Sequence, residues 1–144
     1  MPCIGAFFFP LLYFLIPMIR KFFAQGQLMA SVTVCKASEL PVGNSMPFKH
    51  NDEKILVYHL EDGFYATQGN CTHLFMPLKN GKIIEGCRVR CPFHRAEFDI
   101  KSGEVCEWAN FPPGIQLVNT IRKEKALKTY NVAVEEGEVK VDFD

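Results

Sequence analysis

The chain has 144 residues, enough for one domain with a short appendage and too few for two full cores. Its 16 basic and 16 acidic residues balance, so it lacks the basic footprint of a nucleic-acid-binding protein; 48% apolar and 22% charged residues exclude a disordered chain. Six cysteines are too few for a disulfide-dense secreted scaffold of this length and too many to pass over.

The averages conceal a break in composition. Residues 1–19 carry no charge and are followed at once by Arg20 and Lys21, and six of the 13 phenylalanines fall within the first 23 residues. We divide the chain there into a hydrophobic leader, 1–28, and a mildly acidic domain, 29–144. The uncharged stretch of 1–19 is close to the roughly 20 residues that cross a bilayer, and the basic pair on its C-terminal flank would hold the domain on the cytoplasmic side. Pro10 and Pro17 each remove a helix hydrogen bond from such a span. Met29 is an alternative start that opens directly on the first strand and makes the domain a cytoplasmic protein. A cleaved secretory signal fits least well, because no Lys or Arg precedes the apolar stretch.

After Met29 the dominant hydrophobic period is two. Strands are predicted over Ser31–Cys35, Ile55–His59, Phe64–Thr67, Lys82–Arg90, Ala96–Ile100, Leu127–Val134 and Glu138–Phe143. Turn residues punctuate them: Glu61-Asp62-Gly63, Lys79-Asn80-Gly81, Lys101-Ser102-Gly103 and Glu135-Glu136-Gly137. In the last hairpin Val132, Val134, Val139, Val141 and Phe143 alternate with polar residues, as in a two-faced antiparallel pair. Thr120–Lys128 is the best helix candidate and a weak one. The pattern is that of a small antiparallel all-β domain.

Two short stretches concentrate the chemistry: Cys71-Thr72-His73 and Cys91-Pro92-Phe93-His94, with 17 residues between His73 and Cys91. Each lies at a strand end, so two neighbouring loops can face one another across a metal group. A tetrahedral Cys₂His₂ zinc is one reading, although zinc sites usually take two cysteines from one knuckle and two histidines from another. A second is a two-iron cluster to which each loop gives one ligand per iron, two thiolates on one and two imidazoles on the other. The third is that buried cysteines and unrelated histidines fall at this spacing by coincidence.

Cys71-Thr72-His73 and Cys91-Pro92-Phe93-His94 resemble the Rieske [2Fe–2S] motif, C-x-H followed by C-x-x-H. Leu78 through Asp99, with Ile84-Glu85-Gly86 before the second loop and Phe98-Asp99 after it, is similar to ferredoxins of bacterial ring-hydroxylating dioxygenases. The ending Tyr130–Glu135 and Val139–Phe143 is similar too. The resemblance covers about residues 31–144. It implies a Rieske iron–sulfur fold, a small antiparallel β sandwich or barrel with a cluster-binding subdomain of two loops. It also implies one [2Fe–2S] cluster, with Cys71 and Cys91 on the inner iron and His73 and His94 on the outer one nearer solvent.

By the same resemblance the protein is an electron carrier and not itself an enzyme. It would pass single electrons from an NAD(P)H-dependent flavoprotein reductase to a terminal oxygenase. The alternative is a membrane-anchored Rieske subunit of a redox complex, which the leader 1–19 favours. High-potential respiratory Rieske proteins carry a serine and a tyrosine where this chain has Ala96 and Phe98, and a disulfide between positions equivalent to Met76 and Phe93. All of these are missing here, so a low-potential cluster is expected. Pro92 beside the ligands and Pro112, in the segment Trp108–Gly114 that resembles the family's covering loop, complete the expected surroundings of the cluster.

Two departures stand out. Family members usually have glycine where this chain has Phe75 and often glycine where it has Arg95, which predicts a different backbone path or a bulkier cover. Residues 115–125 exceed the length used by the dioxygenase ferredoxins. Phe75, Met76 and Phe93 are read as an apolar docking rim and Arg95 as its charged member, the best candidate within a basic set of Lys79, Lys82, Arg88, Arg90 and Arg95. Cys3, Cys35, Cys87 and Cys106 are bystanders, with free buried thiols favoured over a Cys87–Cys106 disulfide; His50 and His59 are read as ordinary structural residues.

Overall fold

The computed structural model describes residues 30–143, so the leader, and with it the choice among anchor, alternative start and signal, lies outside the described residues. In chain order the strands are β1 (Ala30–Lys36), β2 (Asn44–His50), β3 (Glu53–Leu60), β4 (Gly63–Gln68), β5 (Lys82–Ile84), β6 (Arg88–Arg90), β7 (Glu97–Asp99) and β8 (Val105–Glu107). A one-turn helix α1 (Gln116–Asn119) precedes β9 (Thr129–Tyr130), β10 (Val132–Glu135) and β11 (Glu138–Phe143). All ladders are antiparallel, in three sheets ordered β1-β11-β10, β2-β3-β4-β9 and β5-β6-β7-β8. No helix among the described residues is long and apolar enough to cross a membrane.

β3 organises the molecule. Its run Ile55-Leu56-Val57-Tyr58 is buried throughout, as expected of a strand covered on both faces. Ile55 and Val57 point into one core with Cys35, Leu40, Ala66, Val139 and Val141, between the first two sheets. Leu56, Tyr58 and Leu60 point the other way, into a second core with Cys71, Leu78, Val89, Cys91, Ala96, Phe98 and Ile100. The period-two side-chain alternation of one strand therefore divides the domain into a base and an end that carries the two Cys-His loops.

The predicted strands match in place, with three corrections. Lys82–Arg90 is two strands, because Glu85 and Gly86 both take positive φ (52° and 69°) and turn the chain into a hairpin whose three-residue loop is Glu85-Gly86-Cys87. Leu127–Val134 is likewise broken into β9 and β10, which join different sheets. The helix predicted at Thr120–Lys128 is absent; its single turn lies earlier, at Gln116–Asn119. Two strands, β2 and β8, had no sequence signal strong enough to place them; Pro47 inside β2 is tolerated because β2 is a sheet edge.

Candidate metal centre

The loop between β4 and β5 holds Cys71 and His73; the loop between β6 and β7 holds Cys91 and His94. The two close in the same way. The Cys71 N–H donates to the Met76 carbonyl at 2.8 Å and the Cys91 N–H to the Ala96 carbonyl at 2.8 Å, each five residues on. Inside each turn the residue four after the cysteine is left-handed: Phe75 at φ 58° and Arg95 at φ 62°. The loops keep the conformation that glycine would adopt freely, and two bulky residues bear its strain. The expected bulkier cover is present.

Cys71, Cys91 and His73 are buried, while His94 is partly open to solvent. The thiols lie within hydrogen-bonding reach of each other, and the backbone N–H groups of His73 and Leu74 point at Cys71 Sγ, those of Phe93 and His94 at Cys91 Sγ. The hydrogen bond from Cys71 holds the Cys91 thiol well below its ordinary value, and the same bond with burial holds Cys71 up. Backbone amides converging on two sulfurs favour thiolates, the form that binds metal.

The imidazoles make a second pair. The His73 and His94 rings meet edge to face, 5.1 Å between centroids, and the Trp108 ring stands edge-on to His73 at 5.1 Å. His73 Nε2 is 3.0 Å from Asn119 Oδ1, whereas His73 Nδ1 is buried with no hydrogen-bond partner. Burial holds His73 below the ordinary imidazole value, so its neutral form is favoured. A buried nitrogen without a partner costs on the order of 1–3 kcal/mol, and a metal bond would satisfy it. Among the described residues no three His, Cys, Asp or Glu side chains surround a single-ion position. The four candidate donors form instead a thiol pair and an imidazole pair, the division that a two-iron cluster uses and a tetrahedral zinc does not.

Ala96 and Phe98 are fully buried in the core behind Cys91, so neither position offers a hydroxyl donor; the Tyr58 hydroxyl in that core is engaged with Thr67 at 3.0 Å. Pro92 and Pro112 lie at the surface, the latter after a cis peptide bond in the covering segment. That segment is attached to the second loop, where Asn110 N–H reaches the His94 carbonyl at 3.1 Å. Phe75 and Phe93 are 59% and 41% exposed, and the Arg95 guanidinium sits 4.1 Å from the Phe111 ring centroid. Met76 is half-buried against the core, a smaller part of the rim than expected. Arg88 and Arg90 are not free for a partner: both bind the buried Glu97 carboxylate, at 2.9 and 2.7 Å.

Cys35 is buried and free, while Cys106 is free but exposed, so no Cys87–Cys106 bridge forms. Cys87 is buried and disulfide-bonded, correcting the expected free thiol; Cys3 lies outside the described residues. His59 Nδ1 is 2.5 Å from the Leu40 carbonyl and His50 packs on Phe143, both away from the site as expected. Asn119 and Trp108 were not singled out as contacts of His73. Asn119 lies in the extra length of 115–125 and Trp108 opens the segment that resembles the family's covering loop, but no motif marks either as a contact of a ligand.

The model of the Rieske [2Fe-2S] domain family matches residues 30–131. The biphenyl dioxygenase ferredoxin subunit of Pseudomonas sp. (strain KKS102) is 29% identical over 115 residues, 80% of this chain and 94% of its own length. A solved complex of reduced oxygenase and oxidised ferredoxin in carbazole 1,9a-dioxygenase matches with a TM-score of 0.64 and 30% identity, over 79% of this chain and 94% of the other. The Sphingomonas yanoikuyae B1 ferredoxin matches with a TM-score of 0.63 and 25% identity, over 79% and 99%. The paired thiols, the paired imidazoles and these relatives agree, and the chain belongs to the Rieske [2Fe–2S] family as an electron-carrying ferredoxin with one cluster.

Proposed function

We propose that Cys71 and Cys91 hold the inner iron and His73 and His94 the outer iron, and that the protein carries single electrons from a flavin-dependent, NAD(P)H-oxidising reductase to a terminal oxygenase in the cytoplasm. The observation that carries the ligand assignment is the buried, unpartnered Nδ1 of His73 beside a second imidazole. A bound cluster supplies a one-electron couple. The chain's own residues set its surroundings: backbone amides favour the thiolates, Ala96 and Phe98 withhold hydroxyl donors, and the second core keeps water from the sulfurs. Two neutral imidazoles in place of thiolates lift the potential above that of all-cysteine ferredoxins, and the missing donors keep it near the bottom of the Rieske range, at or below about −100 mV.

His94 is the ligand nearest solvent, flanked by exposed Phe93, Phe75 and Arg95, and there we place the docking rim with Met76 at its inner edge. A relative solved in complex with an oxygenase supports that class of acceptor. The test is an electron paramagnetic resonance (EPR) spectrum and redox titration of the reduced protein, followed by stopped-flow mixing with a flavoprotein reductase and a Rieske-type oxygenase. We expect a Rieske signal, lost in Cys71→Ser and His94→Ala, a low midpoint and transfer to the oxygenase. A midpoint above about +100 mV, or no transfer, overturns the reading.

A further inference from the structure

We propose that Asn119 is a positioning residue that fixes the orientation and tautomer of His73 and lowers the potential of the cluster. The proposal rests on the reading of His73 as a ligand. The Asn119 amide is seated by its own second hydrogen bond: Nδ2 donates to the Ala109 carbonyl at 2.7 Å, which leaves Oδ1 facing the ring. Because Oδ1 can only accept, His73 Nε2 must carry the proton, and the neutral ring then has its lone pair on Nδ1. That nitrogen is the buried one with no partner. The amide thus presets the tautomer that a metal requires.

The segment bearing Asn119 is held against the first loop and Trp108. Trp108 Nε1 donates to the Arg122 carbonyl at 3.2 Å, Thr72 Oγ1 to the Lys125 carbonyl at 2.5 Å, and the Arg122 guanidinium lies 5.6 Å from the Phe75 ring centroid. Val118, on α1 itself, packs against the core that contains Cys71 and Cys91. These contacts tie the extra residues 115–125 to the candidate centre, and they bury His73 while His94 stays partly open. An acceptor on Nε2–H makes an imidazole a stronger donor to the metal, which stabilises the oxidised, more positive state. Asn119 therefore works in the same direction as the missing hydroxyls at positions 96 and 98.

The experiment uses the full chain with its cluster, as wild type, Asn119→Ala and Asn119→Asp. Midpoints are read by redox titration followed by EPR, and iron release to ferrozine gives a second readout. Asn119→Ala should raise the midpoint and speed iron release by about tenfold. Asn119→Asp keeps an acceptor and adds negative charge beside the outer ligand, so it should lower the midpoint and retain iron as the wild type does. A merely structural Asn119 would shift both variants the same way, and that result, or no shift in either, overturns the proposal. If the Ala variant assembles no cluster, the Asp variant decides alone, a downward shift supporting the proposal and any other outcome overturning it. A wild-type protein without a Rieske signal removes the ligand reading and this proposal together; a wild-type signal with unmoved variants removes this proposal only.

Discussion

Phe75 and Arg95 stand where the turn geometry asks for glycine, and the loops bend as though glycine were there. A non-glycine residue in that region costs about 1–2 kcal/mol. Each side chain makes one cation–π contact, Phe75 with Arg122 and Arg95 with Phe111, and exposed contacts of this kind return only about 0.5–1 kcal/mol. The strain is thus not repaid by packing, and both residues lie on the docking rim proposed above. We predict that Phe75→Gly leaves folding stability within about 1 kcal/mol, since relief of strain offsets the lost contact and the freer unfolded chain. The same variant should keep the cluster and raise KM for the oxygenase in steady-state turnover; an unchanged KM would remove Phe75 from the docking surface. The sequence showed that something other than glycine occupied these positions. It could not show that the backbone would hold its course, because that depends on the Cys71–Met76 and Cys91–Ala96 hydrogen bonds, which are made between main-chain atoms that every residue carries.

Turns and strand ends explain most of the remaining distance between pattern and structure. Glu136-Gly137 joins β10 to β11 and was legible as a turn, whereas Glu85-Gly86 was hidden within a run of β-forming residues. Strand β8 could not be read because Val105-Cys106-Glu107 is partly or well exposed and lacks alternation. Helix α1 could not be placed because one turn of helix draws its stability from packing and not from propensity. Two glycines separate local strain from close approach. Gly86 has positive φ with open space around it, so Gly86→Ala should cost about 1 kcal/mol from backbone strain alone. A Cβ on Gly103, also at positive φ, would lie 2.2 Å from the Leu127 carbonyl oxygen, on the residue whose N–H binds the Gly103 carbonyl. Gly103→Ala adds loss of that connection and should cost about 3 kcal/mol. Chemical denaturation of both variants measures the difference, and equal losses would mean that the segment before β9 shifts freely away from Gly103.

At the scale of the whole molecule, the two cysteines proposed as ligands belong to one of two cores that share a single strand. Cys71 and Cys91 are packed with Leu56, Tyr58 and Leu60, while Ile55 and Val57 of the same strand face the base. The sequence revealed an all-β chain and the ligand motif, but not this division, because β3 is apolar on both sides and its alternation is masked. Truncating either face removes a similar amount of buried surface: Ile55→Ala and Leu56→Ala should each cost about 2–5 kcal/mol of folding stability. Their effects on the cluster should differ. Leu56 lines the core behind the ligands, so its loss should speed iron release, whereas Ile55→Ala should leave iron release at the wild-type rate. Removing the iron itself extends the same logic, since ligands that no longer share a metal lose the bond that couples the two loops. Chelation should therefore strip hydrogen-exchange protection from β5–β8 and the loops between β4 and β7, while amides of β1, β10 and β11 keep theirs. Strand β3 tests the boundary, because its backbone serves both cores and should retain protection as long as the base is folded. A uniform loss of protection across all three sheets would instead make the domain one cooperative unit whose base is held folded by the metal.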